Sequence, residues 1–153
     1  MVLLTDLLSS LRVKVPLEAK TKDEVLRELV DVLAVDDSVD DREDVLRVVR
    51  EREKVLSTGI GHGVALPHGK TDACSDLVIG AGVTREPVDF DALDGEPVRL
   101  VFLLAGPESA AGPHIKALSR ISRLVRQPAL RDRLIEAEDD EAFLRVLREA
   151  ESG

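Results

Sequence analysis

The chain has three histidines, His62, His68 and His114, and His68 is placed where an imidazole can act as a nucleophile. It follows Pro67 at the exit of a small apolar island, Val64 to Leu66, and precedes Gly69 and Lys70. Proline fixes the backbone ahead of the ring, while the neighbouring glycines permit φ > 0 and leave little bulk beside it. An uncrowded imidazole at a rigid strand end suits attack on phosphorus. Its unperturbed pKa leaves a large neutral fraction at neutral pH, and the nitrogen–phosphorus bond it forms is labile enough to be passed on. The glycines also leave backbone N–H groups free to approach phosphate oxygens. A histidine in a glycine-rich loop is by itself more often a turn residue, so the longer motif has to carry the case.

Ser57 to Lys70 reads Ser-Thr-Gly-Ile-Gly-His-Gly-Val-Ala-Leu-Pro-His-Gly-Lys. In this order, paired glycines included, the segment resembles the phosphorylation-site segment of phosphotransferase-system enzyme IIA of type 2, the fructose, mannitol and nitrogen-regulatory class. The resemblance spans nearly the whole chain and implies that His68 is the phosphoryl acceptor. It also implies that Arg52, sixteen residues before His68, lines the site, and that His114 is the second active-site histidine, at the start of the long helix after the Gly-Pro loop. Thr58 adds a hydroxyl contact on the same reading.

In the mechanism this implies, His68 attacks the phosphohistidine of a histidine phosphocarrier protein in line. His114 donates a hydrogen bond to the transferring group, and Arg52 offsets charge on its equatorial oxygens. No metal or cofactor takes part. The acceptor is an enzyme IIB in fructose-like sugar uptake or, alternatively, a regulatory target protein bound according to phosphorylation; the motif fits both branches. His62 stands where many relatives carry Asn or Glu and is assigned no chemistry. A zinc site of His62, His68 and His114 is a weaker reading: neutral imidazoles are common ligands, but no carboxylate or thiol accompanies them at ligand spacing, Asp72 and Cys74 lying merely nearby.

Elements must hold these residues together. Thr21 followed by Glu24 has capping-box spacing, and Val25, Leu26, Leu29, Val32 and Leu33 predict a helix over about 22–34. The acidic stretch Asp36 to Asp41 supplies a loop and the cap of a second helix, carrying Val45, Leu46, Val48 and Val49 and ending near Glu53. A helical turn over Thr5 to Ser9 and a strand over Arg12 to Leu17 precede them. Asp76 to Thr84 and Val98 to Ala105 read as buried strands, with Asp94-Gly95 a turn between a short segment at Val88 to Phe90 and the second strand.

After Gly112-Pro113 a helix runs to about Arg126, Pro128 restarts it to Ala137, and Glu141 to Glu149 closes the chain. At about 100° per residue, His114 shares a face with Leu118, Ile121 and Val125 while Lys116, Arg120 and Arg123 point away, so His114 faces inward. In the first turn, the partial positive charge of the helix N-terminus favours a phosphate nearby. The basic stripe Lys116, Arg120, Arg123 and Arg126 offers a docking surface for an acidic partner, and Lys70 can attract phosphate. The expected fold is α/β (α+β): a single domain over 1–153 with a mixed sheet of about 4–5 strands flanked by helices on both sides.

Composition agrees with one aliphatic core and narrows the partners. The chain has 153 residues, is 44% hydrophobic, and has three Phe but no Trp or Tyr, so stacking platforms are unavailable. With 30 Asp and Glu against 21 Lys and Arg, its formal charge is −9, which argues against nucleic-acid binding and polybasic attachment to anionic lipid. The apolar run from Val98 to Gly106 is broken by Arg99 and is far shorter than the ~20 residues of a membrane helix. Met1 to Leu11 lacks a basic n-region, and a lone Cys74 forms no internal disulfide, which fits a cytoplasmic location.

Overall fold

In the computed structural model, residues 12–152, with Leu3, Leu4 and Leu8, are described. Helix α1 (Lys22–Leu33) starts at Thr21, whose hydroxyl accepts the Glu24 N–H at 3.2 Å. Helix α2 (Arg42–Val55) starts at Asp41, whose carboxylate accepts the Asp44 N–H at 3.2 Å. Both caps satisfy donors that the first turn leaves open. Later helices are α3 (Ala111–Val125), α4 (Pro128–Ile135) and α5 (Asp140–Ser152). Gly112 and Pro113 lie inside the first turn of α3, which enters from a 3-10 turn at Glu108–Ala110. The helical turn expected over Thr5 to Ser9 lies, Leu8 apart, outside the described residues.

Among the described residues the sheet is mixed and has six strands: β1 (Val13–Leu17), β2 (Gly59–Gly61), β3 (Val64–Ala65), β4 (His68–Lys70), β5 (Val78–Val88) and β6 (Val98–Gly106). Their order is β1-β5-β6-β3-β2, and β4 also pairs with β6. Strands β3 and β4 run parallel to β6 along one edge, β3 beside Leu100 and Val101, β4 beside Leu104 to Gly106. The count exceeds the expected one because β2, β3 and β4 are too short for a hydrophobic period to register; backbone pairing makes them strands. Val88, expected in a separate segment, closes β5 opposite Val98.

Alternation along β5 and β6 feeds two cores, as a pleated sheet covered on both faces requires. Ile79, Ala81, Val83, Leu100, Phe102 and Leu104 pack with Ala117, Ile121, Leu134 and Phe143 on the α3–α5 side. Val78, Val101, Leu103 and Ala105 pack with Val25, Leu29, Val45 and Val49 on the α1–α2 side. Since paired residues of a sheet share a face, the pairing of His68 with Leu104 sends its imidazole toward α3, and that of Gly69 with Ala105 turns Gly69 toward α2.

Candidate functional site

Gly69 lets α2 lie directly on β4. A Cβ at this position would come within 2.8 Å of Val48 Cγ2 and 3.2 Å of the Val48 and Val49 backbone, so any side chain would lift the helix off the strand that presents His68. On the other face, the His68 ring meets the His114 ring edge to face, with centroids 5.7 Å apart and planes at 76°. His68 is half-buried, and its Nδ1 lies 2.8 Å from the Leu66 carbonyl oxygen. A carbonyl only accepts, so Nδ1 holds the proton and Nε2 keeps its lone pair.

His114 is 2% exposed, and neither ring nitrogen has a hydrogen-bond partner among the described residues. Burial, helped by the charges of His68 and Lys70, pushes its pKa down from 6.5 to about 4. It is therefore neutral at pH 7 and carries one N–H and one lone pair with nothing to meet them. Orphaned buried polar atoms are rare because each forfeits its hydration; here they sit beside an imidazole with a free lone pair. The N-terminus of α3 has no side-chain cap, and Pro113 contributes no N–H. The helical reading thus placed His114 inward correctly, with Ala117, Ile121 and Val125 buried beside it.

The remaining sequence candidates divide. Arg52 is half-buried in the last turn of α2 and donates to the Leu56 carbonyl at 2.9 Å, one of the five donors of its guanidinium. Thr58 is 5% exposed, and its hydroxyl donates to Glu53 Oε1. His62 is exposed with φ 57°, between Gly61 (φ 102°) and Gly63 (φ 78°), and its N–H donates to Asp94 at 3.0 Å. Lys70 is exposed and lies 3.7 Å from Glu108. The expected basic stripe is broken: Arg120 is only 18% exposed and pairs with the fully buried carboxylate of Glu151 on α5. Arg120 lies at the edge of the buried face, within reach of α5, which helical periodicity of one segment does not reveal.

Glu53 escaped the sequence reading. It is 6% exposed on the stripe of Val45 and Val49, one turn further on. That spacing was the available signal, hidden in the charged run Arg50 to Lys54. An open groove of about 840 Å³, lined by Lys22, Asp23, Arg50, Glu53 and Ser57, among others, includes neither His68 nor His114. Among the described residues, no group of three or more His, Cys, Asp and Glu side chains is arranged to hold a metal ion, and no helix is long and apolar enough to cross a membrane.

The model of the family "Phosphoenolpyruvate-dependent sugar phosphotransferase system, EIIA 2" matches residues 6–150, and the chain belongs to this family. Similar relatives include sugar-specific components and nitrogen regulatory proteins. The fructose-specific EIIABC component of Bacillus subtilis is 37% identical over 146 residues, which make up 95% of this chain but 23% of that protein. The chain thus spans under a quarter of that relative's length. A nitrogen regulatory protein of Bradyrhizobium diazoefficiens is also 37% identical, over 94% of both chains. Among solved structures, the nitrogen regulatory protein IIA-Ntr of Neisseria meningitidis superposes with a TM-score of 0.86 at 34% identity, covering 94% of this chain and 98% of that one. Both the family and the fold are those of an enzyme IIA phosphotransfer component.

Proposed function

We propose that His68 Nε2 accepts a phosphoryl group from the phosphohistidine of a histidine phosphocarrier protein and passes it on. The observation that carries this reading is the buried, neutral His114, its ring nitrogens unpartnered, facing a His68 whose other nitrogen is committed to Leu66. In the transfer, the Nε2 lone pair forms the new nitrogen–phosphorus bond, and the bond to the donor imidazole breaks with its electron pair returning to the donor nitrogen. The proton stays on Nδ1 of His68, hydrogen-bonded to the Leu66 carbonyl, so the phosphorylated ring is cationic and the new bond transferable. His114 donates its N–H to a phosphoryl oxygen, a contact placed to strengthen as charge spreads in the transition state. Arg52 offsets the charge of the equatorial oxygens. Thr58 acts from behind the site, since its hydroxyl is occupied. Exposed Ile60 and Ile115, on β2 and beside His114, offer apolar contact to a partner.

The phosphoryl group goes on to an enzyme IIB in fructose-like sugar uptake. The similarity to nitrogen regulatory proteins over 94% of the chain favours a second reading, in which phosphorylation at His68 governs binding to a regulatory target in the cytoplasm. The test incubates the protein with phosphoenolpyruvate, enzyme I and the phosphocarrier, then adds a fructose-type IIB and follows the mass of each component. Movement of the group to IIB supports sugar uptake. Labelling that stops on this chain supports the regulatory reading, and no labelling contradicts both.

A further inference from the structure

We propose that Glu53, backed by Lys22, is a positioning residue that sets the tautomer of His68 through Thr58 and Leu66. The inference rests on His68 being the acceptor and adds how the fold selects its reactive nitrogen.

Three donors converge on the buried Glu53 carboxylate. The Thr58 N–H reaches Oε2 at 2.9 Å, the Thr58 hydroxyl reaches Oε1, and Lys22 Nζ lies 2.7 Å from Oε2. Lys22 is held in turn by the Phe90 carbonyl at 3.2 Å and by the Phe90 ring, with Nζ 5.1 Å from its centroid. Burying the Glu53 carboxylate, with a partly exposed Lys22 as its counter-ion, costs desolvation that a well-packed apolar residue would avoid. Its position suggests what it provides. Gripped at both its N–H and its hydroxyl, Thr58 presents its carbonyl to the Leu66 N–H at 3.0 Å. The Leu66 carbonyl is the one that Nδ1 of His68 meets at 2.8 Å.

Beyond Leu66, Pro67 has a fixed φ and accepts the Leu104 N–H at 3.1 Å, so the far side of this peptide is locked by β6. The near side depends on Thr58 and hence on Glu53. If that side loosens, the Leu66 oxygen no longer holds the Nδ1 proton, and the proton can move to Nε2, where it blocks the lone pair that must attack phosphorus.

The experiment compares the full-length wild type with Glu53→Gln, Thr58→Val and Thr58→Ser, each checked for folding by circular dichroism. Nitrogen-15 spectra of the His68 ring give the tautomer without any phosphoryl donor, and single-turnover labelling gives the rate. The expected result is a single Nδ1-protonated tautomer in the wild type and Thr58→Ser, and a mixture in Glu53→Gln and Thr58→Val. The two altered variants lose roughly tenfold in labelling rate at saturating donor, as losses of groups that orient a reacting side chain do, with the half-saturating donor concentration unchanged. Folded Glu53→Gln and Thr58→Val proteins that keep the wild-type tautomer and rate would overturn the proposal. If Glu53→Gln does not fold, Thr58→Val decides alone, because it keeps the side-chain shape and removes only the hydroxyl. A wild type that takes up no phosphoryl group would remove the proposed function, while the tautomer comparison would still decide the role of Glu53.

Discussion

The imidazole of His114, 2% exposed and without a hydrogen-bond partner among the described residues, lies edge to face against that of His68 at a centroid distance of 5.7 Å. One ring has its inner nitrogen bound to a backbone carbonyl and its outer nitrogen free. The other is kept neutral by burial. On the proposed function, this asymmetry makes His68 the acceptor and His114 its stabiliser.

Replacing His114 by Gln should therefore slow labelling without preventing it. A lost donor to charge developing in the transition state lowers the rate by about 100-fold, so the variant reaches the same final stoichiometry after a longer time. Time-resolved intact mass checks this; wild-type kinetics in the variant would show that the second imidazole has no part in transfer.

The same burial makes stability depend on pH. His114 titrates near 6.5 when unfolded and at about 4 when folded, so between these values the unfolded chain binds more protons. Stability contributed by keeping this ring neutral is fully present above pH 6.5 and is lost as the pH falls toward 4, by about 3 kcal/mol in all. Urea unfolding at pH 7.5, 5.5 and 4.5 should show a steeper loss in the wild type than in His114→Gln. Parallel curves would mean that His114 does not titrate in this window.

Gly69→Ala tests the seat of β4 on α2. The added Cβ meets both a side chain and backbone of Val48, and overpacking of this kind costs about 1–3 kcal/mol. Because the strand carries His68, the labelling rate should fall together with the urea midpoint. Unchanged stability would show that α2 can move away without cost.

On α3, Arg120 and Arg123 should part company. Arg120→Ala removes one partner of the buried Glu151 carboxylate, which also accepts the Leu4 N–H at 2.9 Å, and should cost about 3 kcal/mol. Exposed Arg123→Ala should change stability by no more than about 0.5 kcal/mol. Equal small effects would return Arg120 to the docking stripe the sequence suggested.

Much of this layout was legible in the sequence because it is local. Thr21 and Asp41 cap where capping residues were expected, and the 100° helical repeat placed His114 on the buried face. Pro67 marked the end of a strand, but Gly69, read as a source of backbone freedom, turned out to be the contact point for α2. What was hidden depends on partners distant in sequence. The Glu53 carboxylate makes sense only with Lys22 and Thr58 around it, and Arg120 only with Glu151, 31 residues later. The short strands β3 and β4 owe their existence to pairing with β6, and β2 to pairing with β3; none carries a period of its own. Asp94, read simply as a turn residue, also accepts the His62 N–H and so ties the glycine loop to the turn before β6.

The central claim is that one nitrogen of one residue takes the phosphoryl group. The direct measurement is to label the protein with phosphoenolpyruvate, enzyme I and the phosphocarrier, read its intact mass beside that of His68→Ala, and assign the phosphorylated ring nitrogen by nitrogen-15 and phosphorus-31 spectra. The account predicts one acid-labile phosphoryl group on Nε2 of His68, absent from His68→Ala and retained in His114→Gln. A phosphoryl group found on Nδ1, or on His114, or still present in His68→Ala, would contradict it.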